Sequence, residues 1–180
     1  MEMNVFSAKN SLMEVMFPDL LTAIDSVSDI QCDISALSKI LLSNFVIHQG
    51  CYLLDYSLPS GFNPIPEQEF IPDKSFLDRT GYECFQNHLH TRDLLKSKKK
   101  SLHHLLTGII IADNLKYKLK VSFPSRKFRI IVSYPVLPLS EEDNEIKNDC
   151  AIRFHLMRKS EYFISDLEEF KFDAIGIIDF

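Results

Sequence analysis

Between Leu115 and Phe123 the chain alternates without a break. Leu115, Tyr117, Leu119, Val121 and Phe123 take the odd positions, and Lys116, Lys118, Lys120 and Ser122 take the even ones. Successive side chains of a strand leave opposite faces of a sheet, whereas a helix of 3.6 residues per turn scatters both sets around its axis. The period of two predicts a strand here, apolar side inward and three ammonium groups outward. Upstream, Ile109 to Ala112 pairs with it through an Asp113-Asn114 turn, since both residue types tolerate the left-handed backbone of a tight hairpin.

Downstream the same period continues. Pro124 to Lys127 reads as a turn. Phe128, Ile130, Val132 and Tyr134 then extend the apolar face, with Arg129, Ile131 and Ser133 opposite, and Ile152, Phe154 and Leu156 repeat the pattern against Arg153 and His155. Ile175, Gly176, Ile177 and Ile178 read as a last strand buried on both sides. The second half is therefore expected to be a mainly antiparallel meander with its cations gathered on one face.

The first half carries helical spacing instead. Ile34, Leu37, Leu41 and Phe45 recur at three- and four-residue steps behind Asp33, a side chain suited to capping the first turn, and Gly50 reads as the stop. Leu20, Leu21, Ile24 and Val27 suggest a helix starting near Pro18, a residue expected to end or kink any helix from Ala8 to Met16. Cys51 to Ser57 reads as a strand, and Tyr82 to Lys96 as a further helix. Between them, Leu58 to Asp73 holds Pro59, Gly61, Pro64, Pro66 and Pro72 and cannot be regular. Its apolar residues Phe62, Ile65, Phe70 and Ile71 favour a packed binding loop over a domain boundary. The expected fold class is α+β in one domain, residues 1–180, with 1–100 mainly helical around a loop at 58–73 and 101–180 mainly sheet.

Charge is segregated along the chain. Arg92 to Arg129 holds 11 of the 20 basic residues and only 2 acidic ones, while the flanking segments are acidic and the net charge is −5. A polarised distribution of this kind points to a charged partner or to an internal match, such as the acidic run Glu141, Glu142, Asp143, Glu145 and Asp149 lying over the basic face. The four cysteines form no C-x-x-C pair, so buried reduced thiols are expected. The apolar runs are too short for a membrane span, and Met1 to Phe17 lacks the pattern of a secretory leader, so a soluble cytoplasmic protein is expected.

Chemistry is sparsely signposted. G-x-G-x-x-G, G-x-x-x-x-G-K-[ST] and G-x-S-x-G do not occur, and five glycines give little bare backbone for phosphate, so no cofactor is expected. His88, His90, His103 and His104 fall close together. On a helix, however, His88 and His90 would point about 200° apart, whereas Cys84 and His88, at i and i+4, could share an ion only with His103 or His104 and one further ligand, so no metal site is expected. A phosphodiesterase reading casts His88 or His90 as base, Asp93 as its orienting carboxylate and Lys98 or Lys99 as the group stabilising charge, while the run Lys96, Lys98, Lys99 and Lys100 otherwise reads as a solvated helix terminus. Nucleic-acid binding through the basic sheet face is a further alternative. The expected function is a non-catalytic protein-binding module: an inhibitor, an immunity-type neutraliser of a toxin, or an adaptor. Lys116, Lys118, Lys120, Arg126 and Arg129 would face an acidic protein partner, and Ile109, Ile111 and Ile131 would supply the apolar centre.

Overall fold

The computed structural model describes residues 5–23, 31–66, 68–72, 74–95, 102–136, 149–161 and 164–180. Along the chain run β1 (Ala8–Lys9), α1 (Ser11–Ala23), α2 (Ile34–Leu42), β2 (Phe45–His48), β3 (Cys51–Leu54), α3 (Arg79–Gln86), β4 (Leu89–His90), α4 (His103–Ser122), β5 (Phe128–Pro135), β6 (Ala151–Leu156) and β7 (Asp173–Asp179). Five strands form an antiparallel sheet in the order β1-β7-β5-β6-β4, and β2 and β3 form a separate hairpin. The architecture is α+β.

β5 sits at the centre of the sheet because both of its neighbours share its apolar period, Ile130 lying opposite Phe154 on β6 and Ile178 on β7. Phe128, Ile130, Val132, Tyr134, Ile152 and Phe154 are fully buried on the side covered by α1 and α4. The other side carries Arg129, Ile131, Ser133, Arg153 and His155, as the alternation predicts. There Ile131, Ile175 and Ile177 join Cys84 in a smaller apolar cluster beneath Ile164, Leu167 and Phe170. Gly176 is bare because the Phe6 ring lies where a Cβ would stand.

The stretch from Leu115 to Phe123 is not a strand. It is the C-terminal half of α4, a 20-residue helix that also absorbs Ile109 to Ala112 and the expected Asp113-Asn114 turn. Leu105, Gly108, Ala112, Leu115 and Leu119 form its buried seam, with steps of three and four that begin ten residues before the alternating window. A long helix spreads its nucleation cost over many hydrogen bonds and buries this seam on the sheet. The helix leaves Tyr117 and Val121 exposed as a consequence.

Four further expectations change. α1 runs through Pro18 without a break. α2 has the expected Asp33 cap, whose Oδ1 accepts from Ala36 N–H at 3.0 Å, but it ends at Leu42, so Phe45 opens β2 instead of extending the helix. Gln49 and Gly50, both at positive φ, make the two-residue turn that joins β2 to β3, so Gly50 closes a hairpin and does not stop a helix. The helix expected from Tyr82 stops at Gln86, and the chain straightens into β4.

The hairpin and the sheet are stitched together by side chains of α3. Glu83, wholly buried, accepts from Tyr52 N–H at 2.7 Å on β3 and from Leu156 N–H at 2.9 Å on β6. Asn87, one turn later, accepts from Leu54 N–H at 2.9 Å and donates to Tyr52 O at 2.8 Å and Phe154 O at 3.1 Å. Two polar side chains at i and i+4 thus satisfy the strand-edge groups that no neighbouring strand reaches.

Candidate functional site

The helical period assigns new positions to every residue drawn from the expected lysine strand. Lys118 Nζ donates to Leu41 O at 3.0 Å and to Ser43 O, and lies 5.6 Å from the Phe45 ring. It closes the C-terminus of α2, and burial pulls its pKa down. Arg129 on β5 forms a two-pronged pair with Asp179 at 2.8 Å for each contact. Ile109, Ile111 and Ile131 are buried at 6%, 0% and 1% exposure, so they cannot be the apolar centre of a docking surface. Lys116, Lys120 and Arg126 keep their charges toward the surface, Lys120 Nζ standing 5.6 Å above the Phe180 ring. The expected lysine-bearing sheet face is therefore not formed.

What the helix presents outward instead is an apolar stripe. Ile110, Tyr117 and Val121 are 55%, 68% and 64% exposed, and at 100° per residue they fall within about 40° of one another around the axis. Lys116 and Lys120 flank the stripe on one side, and the exposed Arg126 and Lys127 follow in the turn after α4. Tyr117 and Val121 were placed inward by the alternation, and Ile110 had no role. Their spacing of seven and then four residues is the signal that a helical period would have picked out.

The histidines converge better than a helix would allow. Because residues 88–90 are extended, His88 and His90 leave the same side of the chain, and their rings lie 4.1 Å apart, centre to centre. His90 Nδ1 stands 2.5 Å from Asp149 Oδ2, so the carboxylate orienting it comes from 59 residues away and is not Asp93. Asp149 Oδ1 also accepts from Arg92 N–H at 3.0 Å and from the Thr91 hydroxyl at 3.3 Å. Thr91 Oγ1 in turn lies 2.8 Å from His104 Nδ1 and accepts from Cys150 N–H at 2.8 Å. An imidazole held by a carboxylate is the arrangement of a general base. Here the same carboxylate also fastens the start of β6 to the turn after β4, and Thr91 carries the link on to α4.

Burial, then the nearby Arg153 charge, drives the His88 pKa down to about 4, so this ring is neutral at physiological pH. The Cys84 and Cys51 thiols are pushed up to about 12 by burial, and Cys150 well above its ordinary value, so all three are protonated and poor nucleophiles. Among the described residues no group of three or more histidine, cysteine or acidic side chains is placed to hold a metal ion. No helix among them is long and apolar enough to cross a membrane. The lysine run at 96–100, including Lys98 and Lys99, and the acidic residues Glu141, Glu142, Asp143 and Glu145 lie outside the described residues.

The loop after β3 packs back on the hairpin tip. His48 stacks edge-on against Phe62 at 4.9 Å, Ile65 N–H donates to His48 Nδ1 at 3.2 Å, and Gln49 N–H donates to Ile65 O at 2.9 Å. Only Phe62 and Phe70 of its four apolar residues pack down, Phe70 against Tyr82, while Ile65 and Ile71 remain exposed.

Comparison with known proteins places the chain in one family: the Uncharacterized protein PM0498 family matches residues 10–180, and the chain belongs to it. No curated protein and no solved structure matches it.

Proposed function

We propose that the protein is a non-catalytic binding module of the inhibitor or neutraliser type, which recognises a protein partner through the outward face of α4. The observation that carries this reading is the stripe of Ile110, Tyr117 and Val121. A helix already anchored by a full buried seam gains nothing in its own fold from three large apolar side chains held in water on the opposite face. Aromatic and branched residues ringed by charge are the usual composition of an interface centre. Lys116, Lys120, Arg126 and Lys127 set the sign of the partner: an acidic surface, drawn in by long-range attraction and docked by the stripe.

The His90–Asp149 pair is read as a lock and not as a base, because Asp149 is committed to Thr91 and Arg92 as well as to the imidazole. The test is affinity capture from host cells, with nuclease treatment, followed by binding kinetics on the captured protein. Tyr117→Asp with Val121→Asp is expected to abolish capture while the circular dichroism stays unchanged. Lys116→Glu, Lys120→Glu and Arg126→Glu together are expected to slow association and flatten its salt dependence. A partner held equally well by both variants, or capture that vanishes on nuclease treatment, removes this face from the account.

A further inference from the structure

On the opposite side of the sheet from α4, a cleft of about 460 Å³ opens between the start of α3 and the sheet. It is lined by Phe76, Leu77, Phe85, His88, Cys84 and Arg153, with Asp78 and Gly81 at the helix end. Its floor and its walls differ in chemistry. Arg153 lies on β6 opposite Ile131, on the face that turns away from the main core. His88, one residue ahead of the Leu89↔Ile152 pair, leaves the chain on the same side. The walls are apolar and open, Leu77 being 82% and Phe85 63% exposed.

Three groups in this cleft lack what a folded protein normally supplies. Arg153 makes no hydrogen bond or ion pair among the described residues, although most guanidinium groups held this far from water have a carboxylate partner. His88 Nε2 is buried and likewise has no hydrogen-bond partner among them. Leu77 and Phe85 expose apolar surface beside both. Burial lowers the Arg153 pKa, while the Asp173 and Asp149 carboxylates act on the guanidinium through space, without a bond to it, and pull the other way. By contrast, Arg158, on the other flank of α3, is fully engaged with Glu83 at 2.7 Å and 2.8 Å.

We propose that this cleft is a binding site for a small organic carboxylate, its head on the Arg153 guanidinium with His88 Nε2 alongside, and its aromatic or branched body against Phe76, Leu77 and Phe85. The charge count selects a carboxylate over a phosphate. Arg153 is the one cation lining the cleft among the described residues and the Asp78 carboxylate offsets it overall, so a single negative charge seated on the guanidinium is the most the cleft can match, and a dianion would bring a second charge with no partner. A guanidinium presents two parallel donors that fit the two oxygens of a carboxylate, and the flat walls accept a ring. This site goes beyond the α4 surface and is independent of it, since the sheet separates the two.

The test is a nuclear magnetic resonance titration of the full chain at constant ionic strength with benzoate, phenyl phosphate and inorganic phosphate. Benzoate is expected to cause saturable shifts at the amides of Gly81, Cys84, Phe85 and His88, and phenyl phosphate weaker ones. Arg153→Gln is expected to weaken benzoate by about ten- to a hundred-fold, the range for losing a charge-assisted hydrogen bond. Leu77→Asp, at an exposed rim position where folding is not at stake, is expected to weaken it by repulsion and so serves if Arg153→Gln does not fold. Benzoate shifts that never saturate, equal binding by the Leu77→Asp or Arg153→Gln protein, or tighter binding of phenyl phosphate than of benzoate would overturn the proposal.

Discussion

Four hydrogen bonds converge on the Glu83 carboxylate: the backbone N–H groups of Tyr52 and Leu156 and both Nη atoms of Arg158. Arg158 adds Gly50 O at 3.0 Å, and Glu161 joins from the other side through Arg79 Nε at 3.2 Å and the Thr80 hydroxyl at 2.9 Å. A carboxylate removed from water this completely persists only because every acceptor position is filled. Nothing in a single sequence marks Glu83 as different from the other acidic residues, because its partners lie about 30 and 75 positions away. Glu83→Ala is expected to cost about 3–5 kcal/mol, the range for breaking a buried pair, since Glu161, 3.5 Å from Arg158, does not reach the two strand N–H groups that Glu83 satisfies. Glu161→Ala, whose site is less enclosed, is expected to cost clearly less. Urea denaturation of the two variants checks the order, and equal losses would show that burial does not set the cost here.

At the scale of elements, the longer strands of the second half were legible, whereas the longest helix and the short strands β1, β2 and β4 were not. β5, β6 and β7 each carry an uninterrupted apolar period bounded by turn residues, and the two sides of β5 and β6 fall where the alternation puts them. Asp33 was readable as a cap because capping is a local bond from one side chain to an N–H three residues on. α4 was misread because a nine-residue window of perfect alternation outweighed a seam whose steps of three and four span fifteen residues, and because Tyr117 and Val121 were assumed to be inward. The exposed stripe was lost with it. Gly108 is the point on which the docking of α4 turns: a Cβ there would meet Cys150 Sγ and stand 3.6 Å from Ile152 Cδ1. In an isolated helix Gly→Ala gains about 1 kcal/mol. Gly108→Ala is expected instead to destabilise by roughly 1–3 kcal/mol, since overpacking wins at this contact. The loss should shrink in a Cys150→Ala background, which vacates the sulfur. A double-mutant cycle by thermal melting reads the coupling directly, and an unchanged loss would put the strain elsewhere than against Cys150.

For the whole molecule the open question is whether the β2–β3 hairpin is a separate unit or part of one cooperative structure. Among the described residues the hairpin shares no ladder with the five-stranded sheet, and its link to β6 runs through Glu83, Asn87 and Arg158. Yet Tyr52 is packed edge-on against Phe123 and Phe128, and Phe45 against Phe154, so hairpin, α4 and sheet share one aromatic core. Removing the hairpin would strip both the buried carboxylate and this core of partners, which argues for a single transition. The cysteines report on it without further engineering. All four are free, Cys32 is partly accessible, and Cys51, Cys84 and Cys150 are buried on β3, on α3 and beside β6. In native buffer a thiol reagent is expected to modify Cys32 promptly and the other three slowly, with a common rate that tracks global unfolding as urea is raised. If Cys51 reacts well before Cys84 and Cys150, the hairpin opens on its own and the buried polar link is weaker than the aromatic packing implies.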